Sequence, residues 1–269
     1  MNPNWFGIFC GLGAMVAFFL TYLTAWRRPL ETRKRWVWLM LLLMLPGMSF
    51  TLYYTHWIHV PGWYYEFRSW PLTELWLVVT GGALGLLATF KHSVIRMLAL
   101  LLTVLLSTAP FIKPFLAPFH DGAFKDLWDG AVCRQSTYST CGAAAAASLL
   151  QHHGITVREE TLAKEAHSYQ GGTEIWYLAR SLNKRGLTTH MNTREGLPDF
   201  LQEQENPSLL PAIVGVRFGQ TGHFIAVLSR QGDQFHVGDP LRGSELLSRE
   251  EFIHRYQFTG FYMTARPRT

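Results

Sequence analysis

From Trp5 to Trp26 the chain carries no charged side chain. A run of that length has few places to be. About 20 apolar residues in a helix cross the roughly 30 Å hydrocarbon core of a bilayer, whereas a helix at the surface of a soluble domain keeps one polar face. Three more apolar runs follow, from Trp36 to Tyr54, Leu72 to Phe90 and Met97 to Phe115. Glu74 at the head of the third suits an interface, and Pro110, Lys113 and Pro114 blur the end of the fourth. Residues 1–118 therefore predict an all-α transmembrane region of about four helices. The first run lacks the basic flank and small-residue cleavage site of a signal peptide, so it is expected to be a retained span.

The net charge of +5 and a pI near 9.2 would suggest nucleic acid, but the charge is unevenly placed. Residues 1–118 carry +6 and residues 119–269 carry −1. The excess lies in the first loop (Arg27, Arg28, Arg33, Lys34, Arg35) and the third (Lys91, Arg96), while the second, Thr55 to Pro71, holds only Arg68. Lys and Arg mark cytoplasmic loops. Both termini then face outward, and the second loop, with Trp57, Trp63, Tyr64, Tyr65 and Trp70, reads as an aromatic belt on the outer face. The expected location is a bacterial inner membrane, multi-pass, with the C-terminal domain extracytoplasmic (periplasmic). The lipid bilayer is a partner, and nucleic acid is not.

Residues 119–130 are polar and turn-rich and read as a linker; 131–269 have the composition of a soluble domain. In that domain Cys141-Gly142 precedes five alanines, a strong helix-forming run ended by Gly154. A thiol at a helix N-terminus has its thiolate stabilised by unpaired N–H groups and the helix dipole. A nucleophile also needs a base and an oxyanion donor. His223 opens a predicted strand, 224–228, and Asp239 ends the next, 234–238. Antiparallel pairing would bring the two side by side, with the carboxylate orienting the imidazole. The other histidines show no metal-ligand spacing with the cysteines, so neither metal nor cofactor is expected. Cys133, eight residues before Cys141, reads either as a lone thiol or as a disulfide partner of the nucleophile. The Gly81-Gly82 pair reads as close helix packing.

Gln135-x5-Cys141-Gly142, Gly222-His223-Phe224 and Val237-Gly238-Asp239-Pro240-x2-Gly243 together resemble the peptidase C39 family of papain-like cysteine peptidases, best known as leader-cleaving domains of bacteriocin exporters. The resemblance covers about residues 130–265. It implies an α+β, papain-like domain, with a nucleophile helix followed by an antiparallel sheet. It also implies Cys141 as nucleophile, His223 as general base and acid, Asp239 as its orienter, and Gln135 with the Cys141 N–H as oxyanion donors. Thr140 and Ala143 differ from the neighbours usual in exporter domains, and no GxxxxGK[ST] motif is present.

The expected function is a membrane-anchored cysteine peptidase acting on a polypeptide, such as a Gly-Gly-type leader or an exported protein, in contact with export or secretion machinery. The alternatives are a catalytically silent peptide-binding module of the same fold in an export or assembly complex, and an acyltransferase using the same residues.

Overall fold

The computed structural model describes residues 2–55, 60–90, 92–194, 196–201, 209–219 and 221–268. Trp57 and Lys91, which entered the topology reading, lie outside them. In chain order the helices of the first half are α1 (Trp5–Trp26), α2 (Leu30–Leu52), α3 (Gly62–Ser69), α4 (Trp76–Leu87), α5 (Ser93–Thr108) and α6 (Lys113–Leu116). Then follow β1 (Leu127–Asp129), β2 (Val132–Arg134), α7 (Cys141–His152), α8 (Glu159–Glu165), α9 (Ile175–Asn183), β3 (Leu187–Thr193), β4 (Ala212–Phe218), β5 (Thr221–Gln231), β6 (Gln234–Asp239), β7 (Gly243–Ser248), α10 (Arg249–Arg255) and β8 (Gln257–Pro267). The chain divides into two units. One comprises residues 3–59 and 72–116, the other residues 1–2, 60–71 and 117–269.

The first unit is helical. Among the described residues, only α1 and the stretch Leu30–Thr55 are long and apolar enough to cross a membrane, with a third only if 62–69 and 73–87 count as one broken span. The expectation of four full-length helices is corrected to that extent. Twelve residues of α4 rise only about 18 Å. Yet α1, α2, α4 and α5 run between the same two layers. At one end Asn4 Nδ2 donates to Glu74 Oε1 at 3.3 Å, the Trp5 and Phe115 rings lie 6.2 Å apart, and Lys113 Nζ sits 3.9 Å above Tyr54. At the other, Arg33 Nη1 donates to the Thr89 carbonyl at 2.6 Å, and Arg33 and Arg96 lie 5.8 and 5.4 Å over the ring of Trp26.

Small residues set the helix spacing. A Cβ on Gly81 would lie 2.1 Å from the Ala14 carbonyl oxygen, and one on Gly85 2.3 Å from that of Phe18. Backbone cannot yield as a side-chain tip does, so α1 and α4 approach this closely only because both positions are glycine.

In the second unit one antiparallel sheet has the order β3-β8-β4-β5-β6-β7. Its strands carry the branched and aromatic residues that suit a pleated surface: Val214, Val216, Ile225, Val227, Phe235, Val237 and Tyr262 form a buried core with Phe200 and Phe252. Helix α7 lies in the interior, its alanines 143–147 all without exposure. Larger side chains there would hold the sheet and the neighbouring helices away. Helix, then antiparallel sheet, is the α+β arrangement that the sequence implied.

The segment 60–71 belongs to this unit too. The Tyr65 ring packs, tilted, against Phe261 (5.2 Å) and Trp176 (6.4 Å), and the fully buried Arg68 guanidinium lies 4.4 Å over Trp176. Glu66 Oε1 accepts the Met191 N–H at 3.2 Å, which occupies a donor on the edge strand β3. Tyr64 and Tyr65 thus pack into the domain, while Trp63 and Trp70 are exposed.

Candidate active site

Cys141 is the first residue of α7 and is 9% exposed. Its N–H and those of Gly142 and Ala143 precede the first intrahelical bond, Ala144 N–H to the Thr140 carbonyl at 3.0 Å, and so face away from the helix with the positive end of its dipole. Gly142 lets this end approach α9: a Cβ there would lie 3.0 Å from Leu178 Cδ1, and in ordinary contact, at 3.5 Å, with the ring of Phe224 on β5.

The β5–β6 ladder pairs Val227 with Val237 and Ala226 with Gly238. One step further, Asp239 shares a sheet face with His223 as its diagonal neighbour. His223 Nε2 donates to Asp239 Oδ1 at 2.8 Å, and both residues are buried. With Nε2 taken, Nδ1 is the nitrogen left for the Cys141 side chain, which lies near enough to His223 to raise its pKa. Burial alone would depress the imidazole. The hydrogen bonds and charges of Asp239 and Cys141 outweigh it and push His223 up to about 9. Burial likewise disfavours the Asp239 carboxylate, but its His223, Leu241 and Tyr256 hydrogen bonds hold it below the usual range.

Two of those partners had no signal in the sequence. The Leu241 N–H donates to Asp239 Oδ1 at 2.8 Å and the Tyr256 hydroxyl to Oδ2 at 2.9 Å. Tyr256 follows α10, far from every motif. Burial and the Asp239 charge push its phenol well up, so it remains a donor. Phe218 packs against both His223 (5.2 Å) and Tyr256 (5.9 Å).

Gln135 begins the loop that ends at Cys141. Its backbone N–H donates to the Pro240 carbonyl at 2.9 Å, which ties the loop to the strand end carrying Asp239. Its side-chain Nε2 donates to the Thr137 carbonyl at 2.8 Å, leaving one N–H of the amide for another acceptor. Oε1 is buried without a hydrogen-bond partner among the described residues. The structure thus hydrogen-bonds His223 to Asp239, brings Cys141 within electrostatic reach of His223, and ties the Gln135 backbone to the strand end that carries Asp239.

Cys133 is fully buried on β2, with its N–H donating to Ser148 Oγ at 2.8 Å. Both it and Cys141 are free thiols. Burial, with the charges of Glu159 and Asp126, pushes the Cys133 thiol well up, which makes it a poor nucleophile. Among the described residues no group of three or more His, Cys, Asp or Glu is placed to hold a metal ion.

The family model described as the peptidase C39 family matches residues 130–269. An uncharacterized protein of Methanothermobacter marburgensis is 29% identical over 126 residues, covering 47% of this chain and 82% of that protein. Another, of Methanothermobacter thermautotrophicus, is 28% identical over the same length and shares. Among solved structures, the peptidase domain of Streptococcus ComA, a bi-functional ABC transporter involved in a quorum-sensing pathway, is 25% identical. That match covers 50% of this chain and 96% of that one, with a TM-score of 0.43. A double-glycine-motif protease from an AMS/PCAT transporter, solved with its leader peptide, is 23% identical and covers 56% and 98%, with a TM-score of 0.42.

Proposed function

The chain belongs to the peptidase C39 family, and on that premise we propose that it is a membrane-anchored cysteine peptidase acting on a polypeptide. Residues 131–269 form the peptidase domain, joined by residues 119–130 to the membrane region. The observation that carries this reading is the buried Cys141–His223–Asp239 line at the start of α7. Cys141 Sγ attacks the scissile carbonyl while His223 holds the thiol proton. Negative charge builds on the carbonyl oxygen, where Gln135 Nε2 and the Cys141 N–H donate. His223 then protonates the leaving amine, and water, deprotonated by His223, hydrolyses the acyl-enzyme. Asp239 keeps the imidazole in the tautomer that this exchange needs. Membership of the peptidase C39 family supports a polypeptide as substrate class.

The test is alkylation of the full chain by iodoacetamide at neutral pH, with the adduct located by mass spectrometry. Labelling of Cys141 many times faster than free cysteine, dependent on His223, supports a peptidase. A rate no higher than free cysteine assigns the domain instead to peptide binding without cleavage.

For topology, an even number of crossings would leave both termini on one side. The Lys and Arg of the first and third loops make that side extracytoplasmic. A reporter active only in the cytoplasm, fused after Thr269, is expected to be silent. Strong activity would reverse the orientation.

A further inference from the structure

The loop from Gln135 to Cys141 is fastened by a buried carboxylate that the mechanism above does not use. Glu159, the first residue of α8, has no solvent exposure. One of its oxygens accepts the Ser136 N–H at 2.9 Å and the other accepts the Ser136 hydroxyl. Ser136 Oγ in turn accepts the Lys125 N–H at 2.8 Å. Ser136 follows Gln135, and the Thr140 hydroxyl, next to Cys141, donates to the Thr137 carbonyl at 3.1 Å, so Glu159 grips the loop beside Gln135 and the loop's own bonds carry that hold toward Cys141. Bonds inside the loop, such as the Thr137 N–H to Thr140 Oγ1 at 3.1 Å, hold its shape but do not fix it to the domain.

As packing, a carboxylate is a poor choice for this position. Withdrawing its charge from water is costly, and well-packed apolar residues often replace buried polar clusters with no loss of stability. What Glu159 supplies and a leucine does not is a fixed pair of acceptors. We propose that Glu159 is a positioning residue for the oxyanion site, holding Ser136, and with it the loop, so that the Gln135 amide and the Cys141 N–H converge on one oxygen. This role rests on the reading of Gln135 and Cys141 given above.

Two small probes separate positioning from general structure in the full chain. Iodoacetamide alkylates the thiolate by displacing iodide from a saturated carbon and forms no oxyanion. p-Nitrophenyl acetate acylates it through a tetrahedral oxyanion, forming a thioester as the ester C–O bond breaks and p-nitrophenolate leaves. Glu159→Leu is expected to slow acylation by about 10- to 100-fold, with alkylation changed by less than about twofold and the unfolding midpoint unlowered. Glu159→Gln, which still accepts the Ser136 N–H, recovers most of the rate. Ser136→Ala, which leaves Glu159 in place, slows acylation alone and by less. Adding Glu159→Leu to Gln135→Ala produces little further loss. Unchanged acylation in the Leu variant, or alkylation falling in parallel with it, overturns the proposal. If Gln135→Ala itself leaves acylation unchanged, the oxyanion assignment has failed, and the role of Glu159 falls with it. Slow alkylation of the parent chain would instead mark failure of the peptidase reading.

Discussion

His223→Ala is expected to slow acylation of Cys141 by p-nitrophenyl acetate by about 10³-fold at pH 7, and Cys141→Ala to abolish it. A positioned proton carrier contributes typically about 10²- to 10⁴-fold. Here the same group also supplies the positive charge beside the sulfur, so the upper part of that range applies. The proton on His223 is held by Asp239 and Cys141 up to about pH 9. The parent rate should therefore stay level through neutral pH and change form near 9, where the imidazolium is lost. In His223→Ala the loss of the imidazolium no longer shapes the profile. Stopped-flow release of p-nitrophenolate across pH 5–10 measures both effects. A His223→Ala variant with the parent's rate and the same inflection would remove His223 from the chemistry.

Asp239→Leu is expected to cost both stability and activity. The carboxylate is fully buried and accepts from three donors, His223 Nε2, the Leu241 N–H and the Tyr256 hydroxyl. Leucine leaves the buried His223 and Tyr256 donors without this acceptor. Removing one side of a buried pair costs about 3–5 kcal/mol, which corresponds to about 10 °C or more in the unfolding midpoint for a domain of this size. Tyr256→Phe removes one bond and should cost about 1 kcal/mol. The pH dependence has a definite sign at each end. His223 is raised when folded, so its contribution is complete below its ordinary value of 6.5 and is lost as pH rises through about 9. Asp239 is lowered when folded, so its contribution is present above its ordinary value of 3.8 and fades as pH falls through its folded value. Thermal unfolding of the parent should show a plateau between these limits, and Asp239→Leu should flatten it. A variant melting with the parent at pH 7 would contradict the buried network. Acylation should fall with the loss of imidazole orientation, by up to about 10⁴-fold.

Short-range patterns made much of this protein legible before folding was considered. Alanines 143–147 announce a helix and so place Cys141 at its positive end. Two strand patterns separated by the turn at 229–233 announce a hairpin, and hairpin pairing puts His223 and Asp239 on one face. The Gly81-Gly82 pair signalled close packing, and Gly81 does meet the backbone of Ala14. Hydropathy was less exact. It reported the apolar runs 72–90 and 97–115 but not where their helices stop, at Leu87 and Thr108.

Other features had no local signal. Tyr256 and Glu159 look like ordinary residues of α-helical neighbourhoods, and nothing near them names Asp239 or Ser136 as a partner. The aromatic loop 60–71 read as a membrane belt, yet Tyr65 and Arg68 are packed against Trp176. By itself the sequence determined the apolar helices, the nucleophile helix, the hairpin of His223 and Asp239, and the split of charge between the two halves. Each of these is set by periodicity or by the charges of consecutive residues. Only the tertiary structure decided which buried donor meets which acceptor and which side of α3 is covered. Those choices depend on contacts between residues that lie 17 to 125 apart along the chain, and they exist only once the sheet and helices have closed around them.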